Sequence, residues 1–260
     1  MTLRDITMLA NYNDEGTVAV CDSVGIQSGL SAAFLNIDGV TISNFGDGIG
    51  GAMTVGGSCT PTGTLQNNVF QIRGQNLNVS NSCAGMYGNF SDLHLSDLYF
   101  SSNQGPCLST IPGYGAAYDV TDMRCEYSGG DQYSLKEDGT GIYLDGGSYY
   151  HLSNVGCDHT FGACLTLGDG TGTGSDVSLD NITSVDADAG GSAVTNRCQY
   201  VINGASDVSA TNIQSITDSS VNTPYALCTL GHPNYITWHA VTGASQKFLV
   251  PKAERRVGSR

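Results

Sequence analysis

Basic residues are scarce in this 260-residue chain: ten Lys and Arg stand against twenty-four Asp and Glu, a formal net charge of −14. That balance disfavours nucleic acid or an anionic membrane surface as a partner. It equally disfavours a strongly anionic polymer, unless Ca²⁺ or a local basic patch intervenes. No apolar run approaches the ~18 residues of a membrane span, so no span is expected. The stretch Leu3 to Leu9 follows Met1 at once, with neither a basic nor an apolar leader region, so no signal peptide is visible. There is no CxxC, no zinc-type pairing of cysteine with histidine, and no GxSxG, P-loop, HExxH or dinucleotide fingerprint. A metal cluster is therefore not expected. Sustained helical periodicity is also missing.

What is abundant is turn chemistry. The 35 glycines, with many Ser, Thr, Asn and Asp, imply many turns, and 40% apolar residues suffice for a substantial core. The nine cysteines, at 21, 59, 83, 107, 125, 157, 164, 198 and 228, are an odd number, leaving at least one thiol free or intermolecular. In a chain this long they read as buried thiols more readily than as a disulfide framework.

The segment Ser175-Asp-Val-Ser-Leu-Asp-Asn-Ile182 has relatives along most of the sequence. In each, an apolar residue is followed four places on by an amide or carboxylate: Val40 with Asn44, Leu77 with Asn81, Leu93 with Asp97, Tyr118 with Asp122, Tyr150 with Asn154, Val177 with Asn181 and Val208 with Asn212. Tyr235 with His239 keeps the shape, and the first copy at Ile6 has Ala10 there with Asn11 one place late. Most anchors recur at solenoid spacing, although the 16 residues from Leu77 to Leu93 are too few for a comfortable coil, so one of the two should lie on a different sheet. Apolar residues alternate within each copy, the period of a strand. Asn or Asp between two short strands suits a sharp bend, because these side chains tolerate the left-handed region. Stacked at the ~4.8 Å strand spacing, such amides can hydrogen-bond as a ladder.

A second piece follows each bend: Gly105-Pro-Cys-Leu108, Gly141-Ile-Tyr-Leu144, Gly162-Ala-Cys-Leu165, Gly191-Ser-Ala-Val194 and Pro224-Tyr-Ala-Leu227. It supplies a third short strand per turn. The expectation is an all-β chain, a single-stranded parallel β-helix of about eight coils with three short strands in each. The patterns SDVSLDNITS, SYYHLSNVGC and LRDITMLAN resemble the right-handed parallel β-helix of the pectin-lyase-like superfamily, in particular its tailspike-depolymerase and rhamnogalacturonase- or epimerase-like branch. The resemblance covers about residues 3 to 245. It implies a carbohydrate-active protein, extracellular or virion-associated, and a homotrimer if it is tailspike-like. The superfamily holds hydrolases, lyases, epimerases and non-catalytic fibres, so the fold alone does not choose among them. The expected division is a β-helix domain over 1–245, without the usual N-terminal cap, and a basic, disordered tail over 246–260.

On a β-helix, chemistry belongs to outward side chains of neighbouring coils. Counting on from the bends Asp122, Asn154 and Asn181 places Cys125, Cys157 and Ser184 inward, Glu126 and Asp158 outward, then Tyr127, His159 and Asp186. Outward carboxylates on adjacent coils stand at about the separation a retaining glycosidase uses, and two coils apart at about the inverting one. Glu126 and Asp158 are the candidate acid–base pair, with His159 to orient a carboxylate or shuttle a proton. Asp145 and Asp186 complete the candidate catalytic set. Tyr127, Asp131, Tyr143, Thr166 and Arg197 are candidate substrate contacts, Tyr143 as a ring for sugar stacking and the loop 128–140 as a groove wall. The plainer readings are solvated surface acids for Glu126 and Asp158 and turn residues for Asp186. Arg197 invites comparison with the arginine base of pectate-lyase-like enzymes, yet no calcium-carboxylate motif surrounds it. The function expected is binding of an extended polysaccharide, neutral or weakly charged, with cleavage by hydrolysis rather than elimination. No cofactor is expected, Ca²⁺ entering only for a lyase. The alternative is a non-catalytic β-helix serving as a tail-fibre shaft, adhesin or glycan-binding module.

Overall fold

A computed structural model describes residues 1–9, 20–27, 34–43, 45–50, 55–56, 60–61, 69–82, 84–88, 90–103, 105–110, 117–128, 140–168, 175–186, 198–216, 225–230, 235–239, 242–243 and 248–249. The described residues form no helix. Two parallel sheets contain almost all of the strands, and the chain alternates between them, the arrangement of a parallel β-solenoid. The first sheet runs Thr2–Leu9, Leu35–Ser43, Val69–Ser80, Phe90–Ser101, Ala117–Glu126, Tyr149–Asp158, Ser175–Val185, Ala205–Ile216 and Tyr235–His239, with Thr242–Gly243 also paired to Ala205–Ile216. The second runs Val20–Gln27, Phe45–Gly50, Ala84–Gly88, Leu108–Thr110, Ile142–Leu144, Leu165–Leu167, Cys198–Asn203, Tyr225–Leu230 and Phe248–Leu249. That last strand falls inside the expected tail. It pairs Phe248 with Leu227, so the stack continues past residue 245.

Each long strand of the first sheet is two limbs joined by one left-handed residue. In register these residues are Asp5, Gly39, Asn76, Asp97, Asp122, Asn154, Asn181 and Asn212, all with φ between 52° and 63°. Glycine meets no Cβ penalty there, and Asn and Asp are the residues that best tolerate it. The amides also bond along the stack: Asn181 Nδ2 donates to Asn154 Oδ1 at 2.6 Å, and Asn154 Nδ2 to Asp122 Oδ1 at 3.0 Å.

This column corrects three anchors. Ile6, Val40 and Leu77 lie just after the bend, paired with Leu98 and Met123, and not at the start of the first limb. The residue in register with Leu93 is Ile72, so Leu77 and Leu93 share one sheet and the 16-residue spacing spans two different positions within it. The error has a physical source. A second left-handed column, Asn81, Ser102, Tyr127, His159 and Asp186, follows the post-bend apolar residue at the same four-residue distance. The apolar-x-x-x-polar unit therefore occurs twice per turn, and sequence alone does not distinguish the two. Tyr235 is off by one, since Ile236 pairs with Val208.

Alternation does the rest. One face of the first sheet presents columns such as Leu93-Tyr118-Tyr150-Val177-Val208 and Leu98-Met123-Val155-Ile182-Ile213, each residue 3% exposed or less. They join Leu108, Ile142, Leu144, Leu165, Leu167, Tyr200 and Ile202 of the second sheet in one core. The third short strand lies where expected at Leu108, Ile142, Leu165 and Leu227, but the piece Gly191–Val194 lies outside the described residues. The strand in that row is Cys198–Asn203, with Tyr200 opposite Leu165.

Cys125 and Cys157 are buried, as expected, but they are not thiols. Cys107–Cys125, Cys157–Cys164 and Cys198–Cys228 are disulfides, and no free thiol is found among the described residues. Cys125 and Cys157 end the second limb just where Cys107 and Cys164 begin the facing sheet, with Cα–Cα distances of 5.9 and 5.5 Å that suit a bridge. Gly141 makes room, because a Cβ there would stand 3.1 Å from Cys125 Sγ and 2.6 Å from a Thr160 methyl.

Replacing Asn181 with Leu should destabilise the fold by about 1–3 kcal/mol, through left-handed strain and the lost amide bonds. Denaturant unfolding checks it, and Asn181→Gly, which loses the amide bonds but adds no strain, should lose less. Mass spectrometry of a non-reduced digest should recover the three peptide pairs joined through Cys107–Cys125, Cys157–Cys164 and Cys198–Cys228. Recovery of those peptides as separate thiols would restore the buried-thiol reading.

Candidate functional site

The second left-handed column sits where the second limb ends. Each of its residues donates its backbone N–H across to the next strand: Tyr127 to Asp158, His159 to Val185 and Asp186 to Ile216, all at 2.9 Å. One residue earlier, Glu126, Asp158 and Val185 lie in register on adjacent strands, and before them Cys125, Cys157 and Ser184 are buried. Sequence counting and structure therefore place the same residues in these columns.

The side chains assemble in part. His159 Nδ1 lies 2.5 Å from Asp158 Oδ1 and its Nε2 3.6 Å from Asp186 Oδ2, so one imidazole spans two carboxylates on neighbouring strands. The Tyr127 ring stacks on His159 at 5.0 Å between centroids and 19° between planes, with its other face toward solvent at 59% exposure. Glu126 is engaged elsewhere: Arg124 NH2 stands 2.9 Å from Oε1, and Tyr99 donates to Oε2 at 2.8 Å. The hydrogen bond to Glu126 is also the main cause that raises the Tyr99 pKa, with partial desolvation second. Both oxygens of Glu126 thus have partners other than Asp158. A hollow of about 270 Å³ opens beside Asp158, lined by Arg124, Asn154, Asn181 and Thr183 among others.

Tyr127 and His159 stand out for backbone reasons. The first column holds only Asn, Asp and Gly, whereas here φ is 48° at a tyrosine and 51° at a histidine. A bulky residue in the left-handed region is strained by roughly 1–3 kcal/mol, and such strain concentrates at functional sites.

Tyr143 and Asp145 do not join this group. Both are buried, at 6% and 3% exposure, and so not open to a ligand. Asp145 Oδ1 accepts from the Gly146 N–H at 2.7 Å, its Oδ2 from the Tyr143 hydroxyl at 3.4 Å, and its carbonyl from Thr110 and Tyr118. It shapes the turn leading into Tyr149–Asp158, a whole strand away from Asp158 in chain order. Tyr143 is therefore no platform for a sugar. Thr166 is half-buried and hydrogen-bonded to Thr140 at 3.2 Å. Asp131 and Arg197 lie outside the described residues.

A second constellation escaped the sequence reading. On the outer face of the first limb, His94, Asp119 and His151 are successive register partners. His151 Nδ1 is 2.9 Å from Asp119 Oδ1, and His94 Nδ1 is 3.9 Å from Oδ2. Counting three residues back from the bends Asp97, Asp122 and Asn154 finds all three; the sequence reading counted only forward. Among the described residues no three His, Cys, Asp or Glu side chains are grouped to hold a metal ion. No described helix is long and apolar enough to cross a membrane.

No family model, curated protein or solved structure matches this chain. Its class is accordingly that of its fold, an all-β stack of two parallel sheets.

Replacing Tyr127 with Asn should raise stability by about 1 kcal/mol, since Asn accepts the left-handed geometry and little buried surface is lost. A lower unfolding midpoint for Tyr127→Asn would show that the stacked ring holds the turn together.

Proposed function

We propose that the protein is a right-handed, single-stranded parallel β-helix of about eight coils, of the pectin-lyase-like kind, that binds an extended polysaccharide on its flank. The observation that carries this reading is the exposed Tyr127–His159 stack, kept in strained backbone beside Asp158 and Asp186. An aromatic face beside carboxylates that accept hydroxyl hydrogen bonds is what sugar recognition requires. Strand repetition at ~4.8 Å favours a chain ligand over a compact one. Three disulfides support an oxidising compartment and so an extracellular or virion-associated setting. A homotrimer belongs to the tailspike form of this proposal.

Cleavage is the further step, and Asp158 is its proposed carboxylate, oriented by His159, with Asp186 on the other side of the ring. Hydrolysis is the proposed reaction, because a carboxylate with an imidazole beside it can hand a proton to a leaving oxygen. The non-catalytic reading, a binding module or fibre shaft, is favoured by one observation: both oxygens of Glu126 are held by Arg124 and Tyr99, so the two-carboxylate machinery of a glycosidase is not assembled around it.

A glycan panel with reducing-end and unsaturated-product assays separates hydrolase, lyase and binder. Tyr127→Ala should weaken binding by about tenfold or more, a typical loss for a hot-spot aromatic. If a glycan is hydrolysed, Asp158→Asn should lower turnover by orders of magnitude with binding and unfolding nearly unchanged, because the isosteric amide cannot exchange the proton. Full activity in that variant would sink the catalytic role, and no binding across the panel would sink the glycan reading.

A further inference from the structure

The outer face of the first limb carries two grooves that abut. One, of about 480 Å³, is lined by residues including Arg4, Asn36, Arg73, Gln75, His94 and Asp119. The other, of about 470 Å³, begins at His151 and continues past Ser178 and Ser209 to Thr237. Asn36, Arg73, His94, Asp119, His151, Ser178 and Ser209 form one register column, so hydrogen-bonding groups repeat strand by strand along the whole trough.

The basic side chains of this trough are confined to its first groove, Arg4 and Arg73 with His94 beside them, while the exposed Asp176 and Asp207 line the second. Three arginines are described. Arg4 pairs with Asp38 at 3.3 Å and Arg124 with Glu126, while Arg73 is exposed and has no ion pair or hydrogen bond among the described residues. On a chain of net charge −14 an uncompensated guanidinium, with His94 next to it in the column, marks where negative charge is welcome. Arginine's planar fork matches a carboxylate in a way that a lone ammonium does not. The acids that line the first groove, Asp38 and Asp119, are already bonded, Asp38 by Arg4 and by the Asn76 amide at 3.0 Å and Asp119 by His151.

We propose that the first groove of this trough is a second binding site, separate from the Tyr127–His159 platform, for a polymer carrying spaced acidic groups, and that Arg73 with His94 seats one carboxylate of it. Spaced charge is the important property. A densely charged polymer meets the repulsion of the whole acidic chain, whereas a carboxylate on an otherwise neutral sugar chain meets only the local field. Asn36, Gln75, Ser96 and Thr121, which line the same groove, supply neutral donors and acceptors for the intervening hydroxyls.

The proposal rests on the glycan reading for the class of polymer only; Tyr127 and Arg73 variants separate the two. Binding of the full chain to hyaluronan, carboxyl-reduced hyaluronan, dextran sulfate and single-stranded DNA is measured by calorimetry at low and high salt. Hyaluronan should bind, its carboxyl-reduced form should bind about tenfold more weakly or worse, and Arg73→Gln should reproduce that loss with hyaluronan while leaving the reduced polymer unaffected. Arg73→Lys should restore part of it, and Tyr127→Ala should leave the carboxylate preference intact. Equal binding of the native and reduced polymers, or an unchanged affinity in Arg73→Gln, overturns the site. Arg73-dependent binding confined to dextran sulfate or to DNA overturns the carboxylate assignment in favour of a sulfate ester or a nucleic acid. No binding of hyaluronan at either salt overturns the proposal even if a neutral glycan binds through Tyr127.

Discussion

Everything in this structure depends on one backbone constraint, the single left-handed residue at the middle of each long strand. Parallel pairing stacks those residues in a column, and their fixed position aligns four inward columns and the outward columns between them. The chain can then tolerate very unequal connections. From Asn76 to Asp97 a turn takes 21 residues, whereas from Gly39 to Asn76 it takes 37, yet the limbs on either side remain in register. The excess is carried outside the paired segments, where length has little effect on the core.

The same constraint shapes the candidate chemistry. At the first bend every side chain suits the geometry, and two of them bond along the stack. At the second, a tyrosine and a histidine occupy a position better suited to Asn or Gly, and there an imidazole spans two carboxylates with an exposed ring against it. A stack that is locally consistent nearly everywhere and violates its own rule at one exposed corner has the pattern expected of a functional site. The outer face of the first limb is a different kind of surface, built by repetition, with an uncompensated arginine as its distinctive feature.

Much of this was legible in the chain. Alternation gave strands, Asn and Asp marked the bends, and counting on from Asp122, Asn154 and Asn181 placed Glu126, Asp158, Tyr127, His159 and Asp186 in columns that the structure shares. Counting failed where a turn contains the same apolar-x-x-x-polar unit twice, as at Val40 and Leu77. It also failed to warn that Tyr143 and Asp145 are buried: Tyr143 alternates with the core residues Ile142 and Leu144, and what covers the other face of a strand is not written in its own residues.

Local residue chemistry by itself determined the strand, the bend and the inward face, since each is set within a few residues by sterics and by the two-residue period of a strand. Only the tertiary structure decided the partners. Which cysteine meets which, which carboxylate of the neighbouring strand His159 reaches, that Tyr99 holds Glu126, and that Arg73 has no ion pair or hydrogen bond among the described residues, all follow from distances between side chains on different strands. Those distances are fixed by register and by the packing of two sheets on one core, and loops of unequal length erase them from the spacing of the sequence.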